Sequence, residues 1–270
     1  MLKSTRFIFL LVLSTLFLFP FFWMLVSSFK PNEEVLAIPV KIFPKIWQID
    51  AYTNLMNYSE YNFPRYFFNS IFVTIAAVLL AVILCTTAGY GFATYNFKYS
   101  NFFFIIVLST IMIPFQAIVV PLFILMKDLG LNNTYLGLIV PESLTAFGVF
   151  LMRQFFYTLP KETIESARID GANEFQIFLK VALPSAKTAI FALIIFHSQW
   201  VWNLLLWPLI IISNPEMRTV PQAISLFSGV YFTPYPEQLA ISVLACLPLL
   251  ILFIFLSKNF TRGITLTGIK

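Results

Sequence analysis

The chain has 270 residues, 59% of them hydrophobic and only 11% charged, with a mean hydropathy of +0.86. A soluble domain carries about 25% charged residues, so this chain has too little polar surface to face water, and the bilayer is its natural solvent. The net charge of +5 is spread over loop ends rather than gathered into a nucleic-acid patch, and Cys85 and Cys246 sit inside apolar runs, which argues against a disulfide framework.

Lys3 and Arg6 precede an apolar run from Phe7 to Phe29. A secretory apolar core is about 7–15 residues and a bilayer span about 20. The run is therefore read as an uncleaved first helix, 7–29, with its N-terminus inside. The segment 30–65 balances Lys30, Lys41, Lys45 and Arg65 against Glu33, Glu34, Asp50 and Glu60, a neutrality that suits the outer face. Its Trp47, Tyr52, Tyr58 and Tyr61 fit the headgroup level. The second span, 67–94, ends in Ala88-Gly-Tyr-Gly-Phe-Ala93, small residues that permit close helix packing. The third, 102–126, contains Pro114 and Pro121 and is expected to be kinked and buried against other helices. The fourth, 136–156, carries Glu142 after Pro141 and ends near Arg153, an inside marker. Glu142 reads either as a functional intramembrane acid or as a carboxylate snorkelling to water near the interface. The fifth span covers 186–212 and the sixth 239–255, joined by a proline-rich outer loop, 213–238.

Six spans place both termini inside, and the basic residues agree. Lys3, Arg6, Lys98, Arg153, Lys161, Arg168, Lys180, Lys187, Lys258, Arg262 and Lys270 fall inside, against Lys30, Lys41, Lys45, Arg65, Lys127 and Arg218 outside. Several chemistries have no residues to support them. With one histidine, His197, no HExxH zinc site exists. There is no GxxxxGK[ST] phosphate loop and no G-x-S-x-G nucleophile elbow, so no catalytic residue is assigned and no metal site. His197 reads as a hydrogen-bonded helix residue. An ion-coupled secondary transporter is the alternative function, and it would call for charged relays and inverted repeats.

The segment 158–184 is too polar to cross the membrane. Ile164, Ala167 and Ile169 alternate with charges in a first helical pattern, Gly171 permits a break, and Phe175, Phe178 and Leu179 form an apolar face in a second. Pro184 is placed to start the next membrane helix. By physics alone this is either an interfacial loop anchored by phenylalanines or a protrusion that docks on a cytosolic partner. The fifth span adds Gln199, Trp200, Asn203 and Trp207, which read as the lining of a substrate path or as interfacial tryptophans with interhelical hydrogen bonds.

The spacing Glu165-Ser-Ala-x3-Gly171-x9-Val-x-Leu-Pro184 resembles the EAA motif of binding-protein-dependent ABC importer permeases, with Ser166 and Val181 as mild departures. Phe68-Asn-Ser70, Ile113-Pro-Phe-Gln116, Gly130-Leu with Thr134-Tyr, Trp202-Asn203 with Trp207-Pro208, and Arg262-Gly-Ile-Thr265 with Gly268 and Lys270 are similar to the carbohydrate branch of that family, especially its maltose-type second permease subunit. The resemblance implies an all-α integral membrane protein of the type I ABC importer permease fold, with six transmembrane helices in a single domain, 1–270, and a cytoplasmic coupling helix. It implies a permease subunit of a carbohydrate importer in a bacterial or archaeal cytoplasmic membrane. The implied partners are a cytosolic ABC ATPase dimer that binds the ATP, a second permease subunit and an extracytoplasmic solute-binding protein, besides membrane lipids. No cofactor belongs to this chain. The implied coupling residues are Glu165, Ser166, Ala167, Arg168, Asp170, Gly171, Leu183 and Pro184. The binding protein would dock on segments 30–65 and 213–238.

Overall fold

The computed structural model describes residues 2–57, 62–227 and 234–267, with side chains between 5 and 257. Glu60, Tyr58, Tyr61, Gly268 and Lys270 lie outside the described residues, as do the side chains of Lys3, Lys258, Arg262 and Thr265.

Among the described residues the regular structure is helical throughout, as the composition required. Helix α1 (Leu2–Ser27) is followed by the short α2 (Asn32–Val35) and α3 (Asp50–Asn57), and then by α4 (Phe63–Thr94). Helix α5 (Ser100–Ser109) ends in a 3-10 turn, Thr110–Met112, before α6 (Phe115–Asp128). Next come α7 (Tyr135–Ile139), α8 (Ala146–Tyr157), α9 (Lys161–Ile169) and α10 (Glu174–Ile177). A π-helical turn, Phe178–Ala182, leads through α11 (Leu183–Ser185) to α12 (Lys187–Trp202) and α13 (Leu206–Ile211). After a 3-10 turn at Pro215–Met217, the chain finishes with α14 (Val220–Leu226) and α15 (Tyr235–Thr267).

Among the described residues, three uninterrupted helical stretches are long and apolar enough to cross a bilayer: Thr5–Ser27, Phe63–Thr94 and Tyr235–Ser257. They correspond to the first, second and sixth expected spans. At 1.5 Å per residue, the 32 residues of α4 reach about 48 Å, well over the roughly 30 Å of a hydrocarbon core. The third expected span is bent by 104° between the 3-10 turn and α6. Pro114 is the residue at the bend, extended at ψ 135°, whereas Pro121 is absorbed inside α6.

The fourth expected span, 136–156, is not one helix. It breaks between α7 and α8 over residues 140–145, and the 12 residues of α8 reach only about 18 Å. The physical reason is Pro141. It has no N–H to return to the carbonyl of Gly137, so the helical ladder stops there. The fifth span is also divided, with α12 and α13 separated at Asn203–Leu205.

The contacts divide the chain into two units, 1–68 with 218–248 and 69–217 with 249–270. In the first unit the polar segment after α1 is folded rather than loose. Lys30 is 1% exposed; its Nζ donates to the Lys41 carbonyl at 2.8 Å and stands 3.9 Å from the Trp23 ring centre. Burial lowers its pKa, partly opposed by Glu34. Ser28 Oγ and the Tyr52 hydroxyl are 2.7 Å apart, and Asn54 Nδ2 donates to Glu237 at 3.0 Å.

In the second unit α4, α8 and α12 share a core of Cys85, Val149, Met152, Ala189 and Leu193. Two glycines let them meet. A Cβ on Gly89 would lie 2.6 Å from that of Met152, and one on Gly148 would lie 2.6 Å from Cys85 Sγ. Gly89 fulfils the close-packing expectation for the end of α4, while Gly91 faces open space. Arg153 is buried. Its guanidinium lies 3.8 Å from the centre of the Phe104 ring, and Nη2 donates to the Tyr157 hydroxyl at 2.7 Å.

Candidate functional site

Two places in the second unit gather the residues singled out in the sequence. The first is the segment from α9 to α11. Helix α9 ends in a Schellman arrangement: Ala172 N donates to the Ala167 carbonyl at 3.1 Å and Gly171 N to Arg168 at 3.2 Å. That closure requires a left-handed residue, and Gly171 supplies it at φ +85°. Two residues later a capping box starts α10, with Gln176 N donating to Asn173 Oδ1 at 2.9 Å and Asn173 N to Gln176 Oε1 at 3.0 Å. The turn is closed from both sides by local sequence.

An ion pair spans it. Arg168 Nε donates to Glu174 Oε1 at 2.8 Å, and the Tyr95 hydroxyl, just past α4, donates to Glu174 Oε2 at 2.8 Å. The bonds from Arg168 and Tyr95 hold the Glu174 carboxyl below its usual range. Burial and the same carboxylate push Tyr95 up to about 12. Ser166 Oγ donates to the Glu162 carbonyl.

Glu165, Ser166, Arg168, Asp170, Gly171 and Pro184 are exposed, while Ala167 and Leu183 are half-buried. The apolar anchors differ from the expected ones. Ile164 and the fully buried Ile177 carry the segment, and Phe178 sits 5.1 Å from the Tyr90 ring. Phe175 and Ile169 instead stand 70% and 86% exposed. Pro184 lies within α11 rather than at the head of the next helix. The chain then turns by 74° before α12, pivoting at the buried Ala186.

The second place is a cleft of about 460 Å³ bounded by Phe115, Gln116, Phe196, Gln199, Trp200 and Asn203, with Leu204–Leu206 closing it. Three of the four fifth-span candidates are there. Trp200 is 57% exposed, and Asn203 Nδ2 donates to the Gln199 carbonyl at 2.7 Å, finishing α12. Trp207 is not part of this lining. It is wholly buried, and its Nε1 donates to the Gly137 carbonyl at 2.9 Å, the acceptor that Pro141 leaves without a helical donor.

Glu142 and His197 meet at the same break. His197 Nε2 lies 2.8 Å from the Glu142 carbonyl and must carry the proton there. The Glu142 side chain accepts from Trp200 Nε1 at 2.9 Å. It is 8% exposed, so it does not snorkel to water; the indole supplies the donor that water would have given. Sequence reasoning places Gln116 only within the Ile113-Pro-Phe-Gln116 resemblance and does not reach its place in the cleft. The bend at Pro114, which turns the start of α6 toward the same cavity wall, was the available signal.

Long apolar helices, broken spans and one exposed polar turn make this a helical membrane protein. Residues 85–266 match the family described as the inner membrane component of binding-protein-dependent transport systems, and the chain belongs to that family. It is a transport permease and not an enzyme. The chain is 38% identical over 265 residues to the arabinooligosaccharides transport system permease protein AraQ of Bacillus subtilis (strain 168), covering 97% of this chain and 94% of that one. It is 28% identical to the lactose transport system permease protein LacG of Rhizobium radiobacter, covering 91% and 89%. Its fold matches a chain in the crystal structure of a bacterial ABC transporter that imports the acidic polysaccharide alginate, with TM-score 0.82, 23% identity and 96% of both chains covered.

Proposed function

We propose that this chain is one of two permease subunits forming the path of an ATP-driven carbohydrate importer, with residues 158–184 as its coupling segment. The observation that carries this reading is the turn at Gly171. It holds Glu165, Ile169, Asp170 and Phe175 out to solvent on a backbone fixed by two caps and an ion pair. Exposed Ile169 and Phe175 on a segment too polar for the bilayer suit docking on a cytosolic protein. Glu165 supplies a charged contact to a basic residue of the ATPase, half-buried Ala167 and exposed Ser166 allow close approach, and Gly171 sets the bend. Leu183 and Pro184 close the segment before α12.

Six crossings with both termini in the cytoplasm keep this segment on the ATPase side, and the distribution of basic residues supports that orientation. ATP is bound by the ATPase dimer. Its closure would press on the segment and be passed to α4 through Tyr95–Glu174 and to α12 through the turn at Ala186. The solute-binding protein docks on the outer segments. Sugars named for two relatives favour a carbohydrate cargo, and a mono-, di- or oligosaccharide, a polyol or glycerol phosphate fits this branch.

The test is co-purification of the solubilised complex, comparing wild type with Glu165→Lys. The ATPase and a second permease are expected with the wild type, and the ATPase is expected to be lost from the variant. A protein that purifies alone and still transports when reconstituted by itself would sink the reading.

A further inference from the structure

A carboxylate at membrane depth is costly and persists only with partners. Glu142 is 8% exposed and is held by its backbone at two points: its N–H donates to the Ile139 carbonyl at 3.2 Å, and its carbonyl accepts from His197 at 2.8 Å. The carboxylate position is thus set by the break between α7 and α8 and by α12. It accepts one described side-chain donor, Trp200 Nε1, at 2.9 Å. That indole is 57% exposed and forms a wall of the cleft beside Phe115, Gln116, Gln199 and Asn203.

We propose that Glu142 is a positioning residue for Trp200, locking the indole as a flat platform on which the apolar face of a sugar ring stacks during translocation. This rests on the carbohydrate reading above. A tryptophan half in a cleft has several rotamers open to it. An N–H···O bond to a carboxyl oxygen whose own backbone is pinned at two points is directional, so it selects a single ring orientation. The aromatic face then offers area, while the amides of Gln116 and Gln199 lie within the same cleft for ring hydroxyls, the usual division of labour in a small-molecule site.

The experiment measures initial uptake of arabinotriose, and of lactose as a second probe, by cells producing the complete transporter. Membrane level and co-purifying ATPase are measured in parallel. Trp200→Ala is expected to lower uptake roughly tenfold, and Glu142→Leu roughly fivefold, at unchanged protein level. Glu142→Gln keeps an acceptor and is expected to recover at least about half of the wild-type rate. In a Trp200→Phe background, which has no indole N–H, Glu142→Leu should add less than about twofold.

Wild-type uptake in Glu142→Leu, or a full-sized additional loss in the Trp200→Phe background, overturns the proposal. Should the leucine variant fail to accumulate, the glutamine variant decides: normal levels with uptake as low as Trp200→Ala overturn it, and recovery supports it. If the wild-type complex moves neither probe nor any related sugar, the carbohydrate reading falls and takes the proposal with it. That outcome is distinct from a working sugar importer that ignores Glu142.

Discussion

The turn at Gly171 and the break at Pro141 both interrupt regular helix, and they are built by opposite means. Around Gly171 every supporting bond from Ala167 to Gln176 joins residues at most six apart in sequence, except the one from Tyr95. Around Pro141 the groups that make the break tolerable come from far along the chain: Trp207 for the Gly137 carbonyl and His197 for the Glu142 carbonyl. A turn exposed to solvent can fall back on water, so local caps are enough. A break inside an apolar bundle has no such reserve, and its orphan carbonyls must be met by side chains of other helices. The difference predicts that the first region tolerates change in stability but not in shape, and the second the reverse.

The largest test of that contrast is Gly171→Pro. Proline is locked near φ −65°, whereas this position needs φ +85°, and it also removes the N–H that closes the Schellman turn. Uptake is expected to fall to background while the protein still inserts in the membrane at normal levels. Gly171→Ala, strained by only about 1–2 kcal/mol at positive φ, should retain partial uptake. Normal uptake in the proline variant would remove the case for a shaped docking turn.

Trp207→Phe probes the second region. It keeps a ring in the core but leaves the Gly137 carbonyl buried without its donor, at a cost of about 1–3 kcal/mol. The detergent-solubilised protein should melt at a lower temperature, with substrate preference unchanged. A change in preference without loss of stability would place Trp207 on the path after all. Asn203→Ala removes a bond that ends α12 and should cost less than about 1.5 kcal/mol. Its uptake should fall less than that of Gly171→Pro or Glu165→Lys; a severe, substrate-dependent loss would make Asn203 a direct sugar ligand.

The smallest effect belongs to the exposed Arg168–Glu174 pair, which solvent screens. The Glu174 carboxyl is depressed in the folded protein, so the pair's contribution is present above the usual carboxylate value of about 4.3. It is lost as pH falls through the lowered folded value. Comparing melts of wild type and Arg168→Ala, a small difference at pH 7 should close toward pH 3. A difference that persisted in acid would mean the arginine acts through packing alone.

Much of the exposed turn was legible because its rules are local. Glycine at the break and the polar run can both be read from adjacent letters. Its buried side was not legible: Phe175 and Phe178 look alike in a helical pattern, yet one is exposed and the other packs on Tyr90. Ile177 is the true anchor, wholly buried at the end of α10, and the π-helical turn that follows it shifts the phase of the residues beyond.

By itself the sequence determined the solvent, the helical class, the long apolar helices at the first, second and sixth positions and the polar turn, since these follow from composition, run length and glycine chemistry. Tertiary structure alone decided that Trp200 faces a cleft while Trp207 is sealed in the core, and that Glu142 is bonded to an indole rather than to water. The reason is physical. In a chain apolar on every face, hydrophobic periodicity cannot say which side of a helix meets protein and which meets lipid. That choice was made by the close approaches at Gly89 and Gly148 and by the carbonyls freed at Pro141, which had to find donors elsewhere in the fold.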